Sequence, residues 1–278
     1  MRDSTRWPPS VRIHPTARVH PEAAVGEEVT IGPFALVAAG AVIGAGTRVG
    51  ARARIGPGVE VGEACLVDTG ATLGWGDAVS GDRGPAVIVG RNVKVREYAV
   101  IQAGRDEPTR VGSGCYVMSR TFVGAGAWLG DGVVVTHGSV VEPGVRVGPH
   151  AVVGGFGLLS AGAEIGRRAM IGGLSVVAGA VPPFTLAHGA PASLRGLNLV
   201  GLRRAAVPPG TRQALSRAYR LLLRGDFPPE QAEALIGKEM RAMPEVEELA
   251  AFIRRHPEVR RNVVRASPEE TDGEETSR

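Results

Sequence analysis

An aliphatic residue recurs at every sixth position over most of this chain. Ile13, Val19, Val25, Ile31, Val37, Ile43, Val49, Ile55, Val61, Val67 and Leu73 form a first run. Val89, Val95 and Ile101 form a second. Val111, Val117, Val123, Leu129, Val135, Val141, Val147, Val153, Leu159, Ile165, Ile171 and Val177 form a third. If about a quarter of residues were Val, Ile or Leu by chance, a run of twelve would arise about once in ten million tries. A period of six fits neither an amphipathic helix nor simple strand alternation. It predicts a parallel β-helix of hexapeptide repeats, in which three hexads make one triangular coil of about 18 residues. The aliphatic residue of each hexad points into the prism and stacks on its counterparts, with coils about 4.8 Å apart. The prediction is about eight to nine coils and a column about 40 Å long.

Glycine often follows the inward residue, as in Ile31-Gly32, Val49-Gly50, Ile55-Gly56 and Ile171-Gly172. It lets the chain turn where a Cβ would clash, which accounts for 40 glycines. Two stretches break the register: Trp75 to Pro85, and Gly104 to Arg110. Both are predicted to be loops leaving the prism, where function often sits.

The hexad pattern ends near Pro182-Pro183, and a helical pattern follows. Thr211 is placed to cap a helix running through Arg212–Arg224, with Gly225 beyond its end. Leu215, Ala218 and Leu222 share one face of it. A second helix is predicted from about Pro229, with Ala232, Leu235, Ile236 and Met240 apolar. A third follows Pro244, with Val246, Leu249, Ala250 and Ile253 apolar. The expected organisation is a β-helix over 1–190, a helical domain over 191–265 and a disordered polar tail over 266–278. The helices would cover the open sheet edge at the end of the column.

Net charge is +4 with a pI near 9.6. The arginines are scattered along the chain rather than gathered in a stripe, which argues against nucleic acid as a partner. Cys65 and Cys115 fall at or near inward positions and are expected to be small core residues in a reducing compartment. No stretch reaches the roughly 18 apolar residues of a membrane span, and the first residues show no apolar leader. The expectation is a cytoplasmic protein. No Cys/His metal spacing, Ser-His-Asp pattern or P-loop stands out, so neither a metal nor a cofactor is expected.

Several segments together resemble one family. They are Ile31-Gly32-Pro33-Phe34, Val95-Arg96-Glu97, Gly172-Gly173, Val181-Pro182-Pro183-Phe184, Gly196-Leu197-Asn198 through Arg203-Arg204, Arg217–Leu222 and Pro244-Glu245-Val246. With the hexads and the helical cap, they resemble the acyl-carrier-protein-dependent UDP-N-acetylglucosamine O-acyltransferases of lipid A synthesis. The resemblance implies an all-β, left-handed parallel β-helix with a C-terminal α-helical cap. It implies a homotrimer with active sites in clefts between prisms, an acyl-carrier-protein thioester as donor and a UDP-sugar as acceptor. By the same resemblance, Asn198 and Arg204 contact the nucleotide, the guanidinium suiting a diphosphate. Gly155 contacts substrate through its backbone, and Gly173 leaves room for an acyl tail.

The chain departs from the family at the reaction centre. The position of the family's general-base histidine is Ala125, in Val123-Gly124-Ala125-Gly126, and a methyl group accepts no proton. Phe122, Gly144, Ser160 and Pro191 stand at neighbouring histidine positions. Gln102 stands at another, Val200 replaces an acidic residue and Ala205 an arginine. Losing a general base typically lowers the rate about a hundred- to ten-thousand-fold. His137 is the candidate substitute, at the same place in its hexad as Ala125 but on a different part of the prism. Glu142 and Asp131 stand behind it. Three readings remain open: an acyltransferase with altered chemistry, a silent relative that binds a nucleotide sugar, carrier protein or sibling enzyme, and a structural trimer subunit.

Overall fold

The computed structural model describes residues 7–75, 86–224, 228–239 and 243–262. Gly225, Met240, the tail 266–278 and all of the Trp75–Pro85 loop beyond its first residue lie outside them. The chain winds into a three-sided column of short strands. Face A starts at Arg12–Ile13, Thr30–Ile31 and Arg48–Val49 and ends at Met170–Ile171 and Thr185–Gly189. Face B runs from Arg18–Val19 to Val176–Val177, and face C from Ala24–Val25 to Ala180–Val181. Strands within each face pair in parallel with matched register, as Tyr116 opposite Val134 and Val117 opposite Val135. Backbone N–H groups donate to the next coil throughout, for example Gly32 to Val49 at 2.8 Å.

Most strands are two residues long, so one side chain points out and the next points in, as with exposed Arg48 and buried Val49. The predicted inward residues from Val25 onward are buried; Leu73, Ile101, Leu129, Leu159 and Ile171 are wholly so. Full burial of one such side chain contributes roughly 1.5–3 kcal/mol. A second inward column lies two residues earlier in each hexad. It holds small residues: Ala17, Ala35, Ala53, Cys65, Ala99, Cys115, Ala127, Ser139, Ala151 and Ala169 are all buried. The corners are too tight for more than Ala, Val, Thr, Ser or Cys. Both thiols therefore sit in the core, and burial pushes Cys115 up to about 11.

The column closes with a hairpin. Ala192–Leu197 pairs antiparallel with Thr185–Gly189, so the change from strand to helix comes at Asn198. Among the described residues four helices follow: α1 (Leu199–Arg204), α2 (Pro209–Leu223), α3 (Pro229–Glu239) and α4 (Pro244–Arg255), then a 3-10 turn, Pro257–Asn262. Helix α1 precedes the first helix that the apolar pattern predicts. Helix α2 begins earlier than expected: Pro208 is the N-cap and Thr211 lies inside the first turn. Proline at the first helical position has the right φ and lacks an N–H that would go unpaired there. The cap is tied to the column by Arg167, whose guanidinium donates to both carboxylate oxygens of Glu248 at 2.6–3.1 Å. Glu164 receives Arg255 at 3.3 Å and His256 at 3.0 Å. No helix among the described residues is long and apolar enough to cross a membrane.

Candidate functional site

Every coil turns three corners, and the candidate residues divide among them. On the A–B corner His137, Gly155 and Gly173 occupy successive coils. The Phe156 N–H donates to the His137 carbonyl, and the Leu174 N–H to the Gly155 carbonyl. A Cβ added to Gly155 would lie 3.4 Å from His137 Nε2, and one added to Gly173 would lie 3.3 Å from the Gly155 oxygen. His137 is exposed, and its ring stands edge-on to Phe156 with centroids 5.4 Å apart. Phe34, Tyr98, Phe156 and Leu174 project from this corner and are 55–73 % exposed. All four adopt left-handed backbone angles near +55° to +58°; glycine takes the equivalent place at Gly70 and Gly138, where the Tyr98 and Phe156 rings lie.

The Val95-Arg96-Glu97 segment lies on the same corner, two coils before His137. Arg96 donates to Glu97 at 2.7 Å and to the Tyr116 hydroxyl at 3.3 Å, and pairs with Asp68 at 3.3 Å. Ser119 Oγ donates to the other Glu97 oxygen at 2.8 Å. Hydrogen bonds from Arg96 first hold the Glu97 carboxyl at about 2. This network ties three coils together at the corner.

Asn198 lies on the C–A corner. Its side-chain oxygen accepts the Gly201 N–H at 2.9 Å and so caps α1, while its side-chain nitrogen donates to the Arg168 carbonyl at 2.9 Å. Arg204 is exposed in the last turn of α1. His150 lies on the same corner; burial lowers its pKa, and Arg168 and Arg167 lower it further. Cationic groups thus gather where the prism meets the cap.

Ala125 lies on the third corner, B–C. Its backbone N–H donates to Gln102 Oε1 at 3.2 Å, and the next N–H, of Gly126, donates to Thr109 Oγ1 at 3.0 Å. The register-breaking loop after Gln102 folds back here: the Glu107 carbonyl lies 4.0 Å from where a Gly126 Cβ would be. One coil further, the Gly144 N–H donates to the Ala125 carbonyl at 3.0 Å. Glu142 is half-buried on this corner, and its Oε2 accepts the Ala161 N–H at 2.7 Å. Asp131, by contrast, lies at the C–A corner, with Oδ1 taken up by the Ser113 N–H at 2.7 Å. Within one chain the structure brings His137, Gly155 and Gly173 together, and leaves Asn198 and Arg204 on another corner and Ala125 on the third.

Comparison with known proteins places the fold among characterised families. The family model for bacterial transferase hexapeptides matches residues 120–155. The model for the second domain of UDP-N-acetylglucosamine O-acyltransferase matches residues 181–264. The solved UDP-N-acetylglucosamine acyltransferase from Campylobacter jejuni superposes with a TM-score of 0.81 at 30 % identity, covering 87 % of this chain and 96 % of that one. The Acinetobacter baumannii structure gives 0.80 at 27 % identity, over 91 % and 99 %. The acyl-[acyl-carrier-protein]–UDP-N-acetylglucosamine O-acyltransferase of Syntrophobacter fumaroxidans is 40 % identical over 176 residues, 62 % of this chain and 68 % of its own. The matched stretch spans only 28 % of the curated Aquifex aeolicus relative. A three-sided hexapeptide column with a helical cap defines a hexapeptide transferase. Its near-complete superposition and sequence identity narrow this further: the chain belongs to the UDP-N-acetylglucosamine O-acyltransferase family.

Proposed function

We propose that this chain transfers an acyl group from an acyl carrier protein to the hydroxyl of a UDP-amino sugar, in clefts between three copies of itself. The observation that carries the reading is the distribution of outward apolar side chains. On the later coils, face A shows Val134, Val152, Met170 and Leu186, and face B shows Phe122, Val140, Leu158 and Val176. All are half-buried in the isolated chain. Face C shows Arg110, Trp128, Arg146 and Glu164 on the same coils. The two apolar faces flank the corner bearing Phe156 and Leu174. Three triangular columns meeting along that edge leave three wedge-shaped clefts, each with face A of one copy opposite face B of the next. Such a cleft suits a hydrocarbon chain, and the bare backbone at Gly155 and Gly173 gives it depth. At its mouth the Ala125 corner of one copy meets the Asn198 and Arg204 corner of the next, which suits a nucleotide sugar.

The test is incubation with acyl-carrier-protein thioesters of several chain lengths and UDP-N-acetylglucosamine, with mass spectrometry for an O-acylated sugar. Product formation supports the reading; absence of turnover on any hydroxy- or amino-sugar contradicts it. The alanine at position 125 favours a second reading, a silent relative that binds the nucleotide sugar. Calorimetry separates the two: binding without turnover selects the silent binder, and no binding removes both.

A further inference from the structure

We propose that Glu142 is the general base of this chain, replacing the imidazole that Ala125 lacks; the inference rests on the acyl-transfer reading above. Among the six histidines, His14, His20 and His256 have ring nitrogens engaged with their own neighbourhoods. His150 lies at the C–A corner. His137 lies on the A–B edge, where the copies are proposed to meet, and His188 lies over Gly172 beside that same edge. His20 shares the B–C corner but lies five coils before Ala125, and no histidine stands on that corner at Ala125's coil or the coils beside it. Glu142 does, one coil away, since the Gly144 N–H reaches the Ala125 carbonyl and the place a Gly124 Cβ would take lies 2.8 Å from the Glu142 carbonyl carbon.

Its carboxylate is held in place rather than left to swing. Oε2 accepts the Ala161 N–H at 2.7 Å, and the side chain is half-buried. Among the described residues no hydrogen bond or ion pair occupies Oε1. Glu107, a second carboxylate in the loop that folds back on this corner, is 76 % exposed and 4.0 Å from Arg146 of face C. A fixed carboxylate with one unengaged oxygen on this corner has the chemistry of a general base; its anchor, the Ala161 N–H, belongs to the coil on the side away from Ala125.

The step balances. The sugar hydroxyl oxygen attacks the thioester carbonyl carbon while Glu142 takes the hydroxyl proton. The tetrahedral intermediate collapses with cleavage of the C–S bond. The departing thiolate takes the proton back from the Glu142 carboxyl, leaving the O-acyl sugar, the carrier's free thiol and the carboxylate.

The test uses the full-length protein with the carrier-protein thioester and UDP-N-acetylglucosamine. Glu142→Gln keeps an oxygen for the Ala161 N–H, so the corner stays folded, but it removes the base. The expected result is a fall in kcat of at least a hundredfold with KM within about threefold. Glu142→Ala should recover part of its rate in added formate, which a merely structural role would not produce. Glu107→Gln should remain within a few-fold of wild type. Full kcat in Glu142→Gln, or the loss appearing in Glu107→Gln instead, overturns the proposal. Ala125→His separates this failure from failure of the wider reading. If wild type is inert and Ala125→His turns over, the substrates meet at this corner and Glu142 is not a base. If neither turns over and neither binds UDP-N-acetylglucosamine, the acyl-transfer reading fails and takes the proposal with it.

Discussion

Gln102 Oε1 accepts the backbone N–H of Ala125 at 3.2 Å across two adjacent coils. Both residues stand where the family resemblance places histidines, and here they form a structural clasp. Gln102→Ala should remove that bond and lower stability by about 1 kcal/mol. Urea unfolding monitored by circular dichroism checks this; an unchanged midpoint would show that the clasp contributes nothing.

Leu129 is wholly buried within the column. Leu129→Ala leaves a cavity that stacked coils cannot close, and should cost about 2–5 kcal/mol. Ile101→Val, removing one methyl group, should cost about 0.5–1.5 kcal/mol. Thermal melts of the two variants should rank in that order, and equal melting temperatures would contradict the packed interior.

The fold was legible because the period of six survives wherever one side chain per hexad must face inward. The companion column of small residues leaves little trace in the sequence, because alanine is frequent everywhere and carries little signal alone. Proline also hid the true start of α2, since Thr211 offered a more familiar cap. For the site, counting hexads separates His137 from Ala125 by two corners, and the structure has them so. The counting did not show that Asn198 spends its amide on the Gly201 N–H and the Arg168 carbonyl, because both bonds depend on how the hairpin returns to the corner. The same counting puts Glu142 back at the Ala125 corner after three hexads and Asp131 on the next corner after one, but it does not show that Glu142 Oε2 is held by the Ala161 N–H.

Asn198 and Arg204 should therefore separate under mutation. Asn198→Ala loses a helix cap and the tie to the Arg168 carbonyl, and should cost about 1–2 kcal/mol of stability. Arg204 is exposed, so Arg204→Ala should leave the melting temperature within a degree or two. It should weaken UDP-sugar binding about tenfold or more in calorimetry, as expected for loss of a guanidinium from a diphosphate. Unchanged affinity would remove Arg204 from the site.

Glu97 predicts an acid response. Its carboxyl is held at about 2 by Arg96, its own backbone N–H and Ser119, against about 4.3 for a free glutamate. A depressed folded-state value means stability present above about pH 4.3 and lost as pH falls through about 2. Glu97→Gln should be less stable than wild type at pH 7, and the difference should shrink below about pH 4. The side chain is 34 % exposed, so solvent screens the effect and it should be modest. A difference that does not vary between pH 7 and pH 2 would contradict the assignment.

A side chain added at Gly173 meets little but the Gly155 oxygen, so Gly173→Met should fold normally and project into the proposed acyl groove. The preferred acyl chain should then shorten in competition assays with mixed thioesters. An unchanged preference would reject this part of the groove.

The most direct test of the cleft is a crystal structure with UDP-N-acetylglucosamine bound. Three copies should meet along the edge bearing Phe156 and Leu174, with the diphosphate at Arg204 of one copy and the sugar hydroxyl beside Ala125 and Glu142 of its neighbour. A monomer, or a trimer holding the nucleotide on face C with Arg204 turned to solvent, would contradict the account.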